Sequence, residues 1–443
     1  MELSKTRPRA RSAVTGSQMA RDKFIGGNRV VAHLVRAGLA AVSAAMLTGS
    51  GWTVPAYGAD TVAVALSTTL SGSIAEVGRT GLRGIQMALD RLNAQGGLLG
   101  KQVRLVSADD GAFPANGVSN VRHMILVDKA VAVFGPATSA VGTAVETVAG
   151  QYRLPVFFHM ANDIQITTSN FTKYAFELVP NTVMEPRAIA YYFAENVAPK
   201  VGGKKIKIAT ITPNYSYGRD TVEVFLSTLK ELKVNFEVAA QEFPQLGATD
   251  YTSYISALLA AHPDYVFAAI FGGDLITFTK QAQGFNFFKQ TKIVGFYDQV
   301  PLRVLGKDSP DGAIGWNRAP FWAESGPGFK EFLADYRAKF HDAPSAWAIT
   351  GYSAAQVWAY GVSKAGSFDA DKVVGALSGA TVPTIRGDIT LRACDHQAEV
   401  PEFIGRVSAQ IDPQYGQPIY SHTVAIAASK TMLTCAQAKS RQP

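Results

Sequence analysis

The chain has 443 residues, of which 17% are charged and 47% hydrophobic. This composition excludes a disordered chain, and the length exceeds what one hydrophobic core commonly serves, so two domains are expected. The formal charge of +7 misleads: eight basic and two acidic residues fall within 1–59, leaving about +1 for the rest and no electrostatic reason to expect nucleic acid as a partner.

Residues 1–59 read as an export signal. A long basic stretch precedes the soft apolar run Ala37–Leu47, followed by small residues at Ala56-Tyr57-Gly58-Ala59. The apolar run is short and alanine-rich for a membrane span, so cleavage near Ala59 and a periplasmic location are expected. The two cysteines, Cys394 and Cys435, would then meet an oxidising compartment. A disulfide between them is expected, the alternative being two unpaired thiols in a loose tail.

From Asp60 onward, short apolar strands alternate with amphipathic helices. Strands are predicted at Val62–Leu66, Val103–Ser107, Ala130–Phe134 and Pro155–Phe158, with helices near Ile74–Asn93, Asn116–Leu126 and Val141–Tyr152 between them. A second series follows Pro180: strands Lys207–Ile211, Asn235–Gln241, Tyr265–Ile270 and Lys292–Gly295, and helices near Tyr217–Glu231, Tyr251–Ala261 and Leu275–Gln283. This rhythm predicts an α/β protein with two doubly wound lobes, each with a parallel sheet and each binding ligand at the carboxyl ends of its strands. The helices Phe329–Phe340 and Tyr352–Lys364 have no strand between them and should return to cover the first sheet. Ile385–Leu391 and Phe403–Val407 read as strands. The expected lobes are 60–180 with 318–380, and 181–317 with 381–443.

Candidate ligand groups lie where strands end and helices begin, because helix N-termini offer free N–H groups and partial positive charge. Gly135-Pro136-Ala137-Thr138-Ser139 is such a junction, and Ser139 could equally be an ordinary helix cap. Further junctions are Phe157–Asp163, Asn214–Gly218, Phe271–Asp274 and Phe296–Asp298. Aromatic residues concentrate there. His159 reads as a hydrogen-bonded core histidine, and Asp109-Asp110 as solvated or capping acids. Gly96–Lys101 lacks the first glycine and the final Ser/Thr of a phosphate loop. Gly351–Ala355 lacks the second glycine of a nucleophile elbow. Gly78, Gly81 and Gly84 are spaced to let a helix approach the sheet closely. No metal or cofactor site is expected.

The run Leu70-Ser71-Gly72, with Asn93-Ala94-Gln95-Gly96-Gly97-Leu98-Leu99-Gly100, Phe134-Gly135-Pro136, Tyr217-Gly218, Gly351–Ala354 and Arg392–Gln397, resembles the branched-chain amino-acid and amide solute-binding proteins of ABC transporters. The resemblance implies a type I periplasmic-binding (venus-flytrap) fold with a hinge. It also implies capture of a small ligand without chemistry, and a membrane permease as partner. It places Ser139 and Thr138 at the ligand carboxylate, with Ala161 and Asn162 beside them. It puts Tyr217 over the ligand, Phe271 where a tyrosine is frequent, and Val77 where a ring is sometimes found. Tyr297 or Asp298 falls nearest the acid that meets an amino-acid ammonium. If Asp298 faces the cleft, an aliphatic amino acid is the expected ligand; if Tyr297 does, an aromatic carboxylate or an amide such as urea. A ligand-sensing module shares these features, and an exported enzyme is the remaining alternative.

Overall fold

The computed structural model describes residues 61–443; the predicted export signal and its cleavage site lie outside them. The first lobe runs β1 (Thr61–Thr68), α1 (Ala75–Ala94), β2 (Gln102–Asp109), α2 (Pro114–Leu126), β3 (Val133–Phe134), α3 (Ser139–Gln151), β4 (Val156–Phe158) and β5 (Ala175–Glu177). Its five strands are parallel in the order β2-β1-β3-β4-β5. Apolar side chains alternate to its two faces. Val64, Leu66, Phe134 and Phe157 enter one core, and Ala65, Val133, Val156 and Phe158 the other.

The second lobe repeats the pattern. It comprises α4 (Met184–Asn196), β6 (Ile206–Ile211), α5 (Ser216–Glu231), β7 (Phe236–Glu242), α6 (Thr252–Ala260), β8 (Tyr265–Ala268), α7 (Gly272–Gly284), α8 (Phe287–Gln290), β9 (Lys292–Gly295), α9 (Gln299–Leu305) and β10 (Ile314–Asn317). The parallel order β7-β6-β8-β9-β10 matches that of the first lobe. Two antiparallel strands, β13 (Glu402–Val407) and β14 (Tyr420–Ile426), extend this sheet beyond β10. In each lobe the connections diverge between the first and third strands. That switch opens a crevice at the strands' carboxyl ends. The two crevices face each other.

Between β10 and β13 the chain revisits the first lobe through α10 (Phe329–Phe340), α11 (Ala346–Ala365), α12 (Ala370–Leu377) and the hairpin of β11 (Thr381–Thr384) and β12 (Gly387–Thr390). The lobe boundary expected at residue 380 falls inside this excursion. Val382, Ile385, Ile389 and Leu391 pack with Phe332, Trp358 and Leu377 in the first-lobe core, because the hairpin's apolar face has no other cover. The chain therefore crosses between lobes near 178–183, 317–320 and 398–402. These crossings are bound together. The Arg386 guanidinium donates to the Leu178 and Arg318 carbonyls at 3.2 and 3.0 Å, and Gln397 donates to the Val179 carbonyl at 2.9 Å while accepting from Asn181 at 2.8 Å. Cys394 and Cys435 form the expected disulfide, which ties the C-terminal segment to the loop after β12.

The spacing of its glycines predicts that α1 approaches the sheet, but Gly81 and Gly84 bring it against α11 instead. A methyl on Gly84 would lie 1.9 Å from the Ala348 carbonyl oxygen of α11, and one on Gly351 would lie 2.6 Å from the Gly81 carbonyl oxygen. The two helices cross backbone to backbone, which only glycine permits. Helix α11 also begins earlier than its predicted start at Tyr352. Ser345 caps it by accepting from the Ala348 amide, and donates to Thr80 on α1 at 2.8 Å. Gly84→Ala should lower unfolding free energy by about 2 kcal/mol, the overpacking cost exceeding the gain in helix propensity. Gly375→Ala in α12, where nothing lies within 4 Å of the added methyl, should instead be neutral or stabilise by up to about 1 kcal/mol. Urea unfolding of both variants checks the pair.

Candidate functional site

The facing crevices enclose a cavity of 20 Å³ lined by Ala137, Ser139, Met160 and Asn162 of the first lobe, Tyr215, Tyr217, Phe271 and Phe296 of the second, and Arg318 and Trp347 from the returning chain. That space holds about one water. The lobes meet beside it. A methyl on Gly273 would lie 2.2 Å from the Ser73 carbonyl oxygen, and one on Gly272 would lie 3.2 Å from the Val77 side chain. Ile74, Val77, Ala137 and Met160 join Tyr217, Phe271, Phe296 and Trp347 in one apolar cluster that spans both lobes.

Four of the predicted residues line the cavity: Ser139, Asn162, Tyr217 and Phe271. Ser139 opens α3, one position after its extended N-cap Thr138. The Asn162 amide donates to the Pro180 carbonyl at 3.0 Å, which bonds this wall to the crossing strand. Tyr217 lies in the first turn of α5, its ring edge-on to Phe271 with centroids 5.8 Å apart. Val77 stands at the lobe contact next to the cavity. Thr138 faces a neighbouring chamber instead. Ala161 turns away into the first-lobe core, where its Cβ fills the space beside Gly142.

Tyr297 does not face the cleft. Its ring is buried among second-lobe core residues such as Phe278 and Tyr420, with its hydroxyl 3.3 Å from Thr279 Oγ1. Side chains alternate along the extended segment after β9, so the residue that reaches the cavity is Phe296, one position earlier. Asp298 is buried behind the cavity wall as the N-cap of α9. Burial pushes its carboxyl up to about 7, against the pull of Arg318, Arg303 and Trp347 toward the charged form.

The sequence reading missed the charged centre. Arg318, 3% exposed, follows β10 and donates from Nε to Glu185 Oε2 at 2.8 Å and from Nη1 to the Met160 carbonyl at 2.8 Å. Its guanidinium lies 4.9 Å from the Trp347 ring centre and 5.6 Å from that of Phe296. Glu185 Oε1 accepts from the Tyr217 hydroxyl at 3.0 Å. Glu402, also buried, stands near this pair, and burial followed by the Glu185 charge pushes its carboxyl well above the usual range. Arg318 Nη2 has no hydrogen-bond partner among the described residues. No local motif marks Arg318 or Glu185; a signal existed only in their position just past a strand and at the start of a helix.

Of two further expectations, one needs correction, and the one for Asp109-Asp110 is met as capping of loop amides rather than as solvation. Neither ring nitrogen of His159 meets a hydrogen-bond partner of good geometry among the described residues. The ring packs beside Gly81 and Gly351, and burial holds it neutral, lowering its pKa to about 3. Asp110 is buried rather than solvated. It accepts from the Thr69 hydroxyl at 2.8 Å and the Ala112 amide at 2.9 Å, while Asp109 accepts from the Leu70 amide at 2.8 Å. The pair shapes the loops at the cleft mouth.

The sequence profile of the periplasmic binding proteins matches residues 61–411. The chain belongs to that family. The family is one of binding proteins rather than enzymes. Among its relatives, a Leu/Ile/Val-binding protein homolog 7 of Brucella abortus is 28% identical over 322 residues, covering 70% of this chain and 79% of that protein. An ABC-transporter solute-binding protein of Rhodopseudomonas palustris, solved in complex with 3,4-dihydroxybenzoic acid, superposes with a TM-score of 0.73 at 21% identity, covering 83% of this chain and 98% of that one. A branched-chain amino acid transporter substrate-binding protein of Streptococcus pneumoniae, solved with isoleucine, gives 0.70 at 21% identity, covering 83% and 100%. At that identity the two solved structures speak for the two-lobed fold.

The raised Asp298 carboxyl makes a signed prediction. The folded chain holds this proton more tightly than the unfolded chain, whose aspartate titrates near 4. Its contribution is therefore complete below pH ~4 and lost as pH rises toward 7. Relative to Asp298→Asn, the unaltered protein should lose stability across that window, by at most about 1.4 kcal/mol per pH unit. Denaturant midpoints of both proteins at pH 4, 5.5 and 7 test it.

Proposed function

We propose that this protein is the extracytoplasmic receptor of an ABC importer, and that it captures a small aromatic or apolar carboxylate between its lobes. The export-like N-terminus, the family and the facing crevices support the receptor role; a membrane permease that recognises the closed lobes is the implied partner. The observation that carries the ligand class is the pairing of Phe296 with Arg318. Where an amino-acid receptor needs an acid for the ligand ammonium, the cavity presents the Phe296 ring. An ammonium there would lose a charge-assisted hydrogen bond worth roughly 1.5–3 kcal/mol. Glu185 cannot replace that acid, because Arg318 and Tyr217 already engage both its oxygens.

A carboxylate finds the opposite situation. The cation of Arg318 has donors to spare, and Ser139 with the first-turn amides of α3 faces it from the other lobe. Phe271, Phe296, Tyr217 and Trp347 surround this polar point with rings suited to an apolar or aromatic body, which the cavity, now the size of about one water, would admit only as the lobes part. The binding order is docking on the Ser139 wall, then closure that brings Tyr217 and Phe271 over the ligand. Only contacts absent from the open state stabilise the closed one.

A thermal-shift panel of benzoate- and cinnamate-type acids, leucine and other neutral amino acids, and urea tests the assignment. Ligand at 100 times its dissociation constant should stabilise the protein by about 2.7 kcal/mol. The expected result is a shift with the aromatic acids alone. A shift with leucine and none with the acids would overturn the ligand class. The double variant Ser139→Ala, Tyr217→Ala should keep its unliganded fold and lose the ligand-induced shift; retained binding would sink the site.

A further inference from the structure

Next to the inner cavity, and sharing the Tyr215 wall with it, lies a chamber of 310 Å³ at the cleft mouth. It is some fifteen times larger than the inner cavity. We infer that the ligand carries a neutral, hydrogen-bonding extension, opposite its carboxylate, that occupies this chamber. The inference rests on the carboxylate reading above and specifies the ligand further.

The chemistry of the wall points to a neutral group. Its polar lining includes Ser71, Ser73, Thr138, Asn214 and Gln245, and no charged residue lines it. Of the acids just behind it, Asp109 holds the Leu70 and Gly111 amides at 2.8 and 2.9 Å, Asp110 holds Thr69 and Ala112, and Asp274 accepts from the Gly247 amide at 2.8 Å through Oδ2, its Oδ1 being buried without a partner among the described residues. A second negative charge on the ligand would be dehydrated there beside these acids and without a counter-charge, whereas an amide or hydroxyl would find both donors and acceptors. One wall group lacks a partner outright. Thr138, 2% exposed, has its hydroxyl buried with no hydrogen bond among the described residues. Buried hydroxyls are normally paired, and an extension passing Tyr215 would supply that pair. At the rim, the Phe113 ring is 64% exposed, an unusual setting for a large aromatic and one that offers a stacking face to a planar group.

The chamber belongs to both lobes, so its occupant would add to closure. Thr138, Ser73 and Phe113 come from the first lobe, and Asn214, Gln245 and Gly247 from the second. Its shape is set by the same loops that bring Ser73 against Gly273. A ligand confined to the inner cavity would leave this surface wet.

Isothermal titration of the full mature chain with benzoate, 4-acetamidobenzoate and terephthalate tests the proposal. The amide-bearing acid should bind at least tenfold more tightly than benzoate, and the dianionic terephthalate no better than benzoate. Ala140→Leu, which fills the chamber without touching the inner cavity, should remove the amide's advantage and leave benzoate within twofold. Thr138→Val, close in shape to the native residue, should weaken the amide-bearing acid several-fold and leave benzoate unchanged. Equal affinity of the two monoacids for the unaltered protein, or equal loss of both in Ala140→Leu, would overturn the chamber assignment while the carboxylate reading stands. Binding of neither acid would overturn both.

Discussion

The arrangement of this cleft depends on one buried cation. Arg318 is almost wholly removed from water, and such a charge persists only if its surroundings return what solvation supplied. Glu185 gives the opposite charge, the Met160 carbonyl gives an acceptor from the other lobe, and the Trp347 and Phe296 rings give their negative faces. Removing either member of the Arg318–Glu185 pair would strand the other at a cost of roughly 3–5 kcal/mol. The pair also orients Tyr217, so a ring and a charge that both line the cavity are set by one network.

That network sits where the chain crosses between lobes. The Arg318 carbonyl accepts from Arg386, itself buried against Glu324 and bonded to the Leu178 carbonyl. Two of the three crossings are thus joined through guanidinium groups, and the third is joined through Gln397. The hinge is polar but densely bonded. Rotation about it would separate the apolar surfaces of Ser73–Val77 and Gly272–Gly273. The close crossing of α1 and α11 through Gly81, Gly84 and Gly351 keeps the first lobe rigid beneath this hinge.

The strand-end logic named loops that the structure gathers around one cavity, but it did not settle which of their side chains line it. Ser139, Asn162, Tyr217 and Phe271 are brought together because each opens or precedes a helix after a parallel strand, a position legible from the alternation of apolar runs and helical stretches. Tyr297 and Asp298 lie in the right loop, but which residue of an extended pair turns inward depends on the register of β9 within the sheet. One residue of offset exchanges core for cavity. Thr138 and Ala161 differ from Ser139 and Asn162 in the same way.

The sequence by itself determined the elements, their parallel winding in two lobes, the family and the disulfide partners. These rest on local periodicity, turn chemistry and short motifs, which the chain carries wherever it folds. The tertiary structure alone decided that Arg318, Glu185 and Tyr217 form one buried network. They are separated by up to 133 residues, and nothing local distinguishes a charge that will be buried from one that will be solvated. It likewise decided that Phe296 rather than an acid lines the cavity, and that the β11–β12 hairpin covers the first lobe. Burial, which sets both outcomes, is a property of what the rest of the chain leaves uncovered.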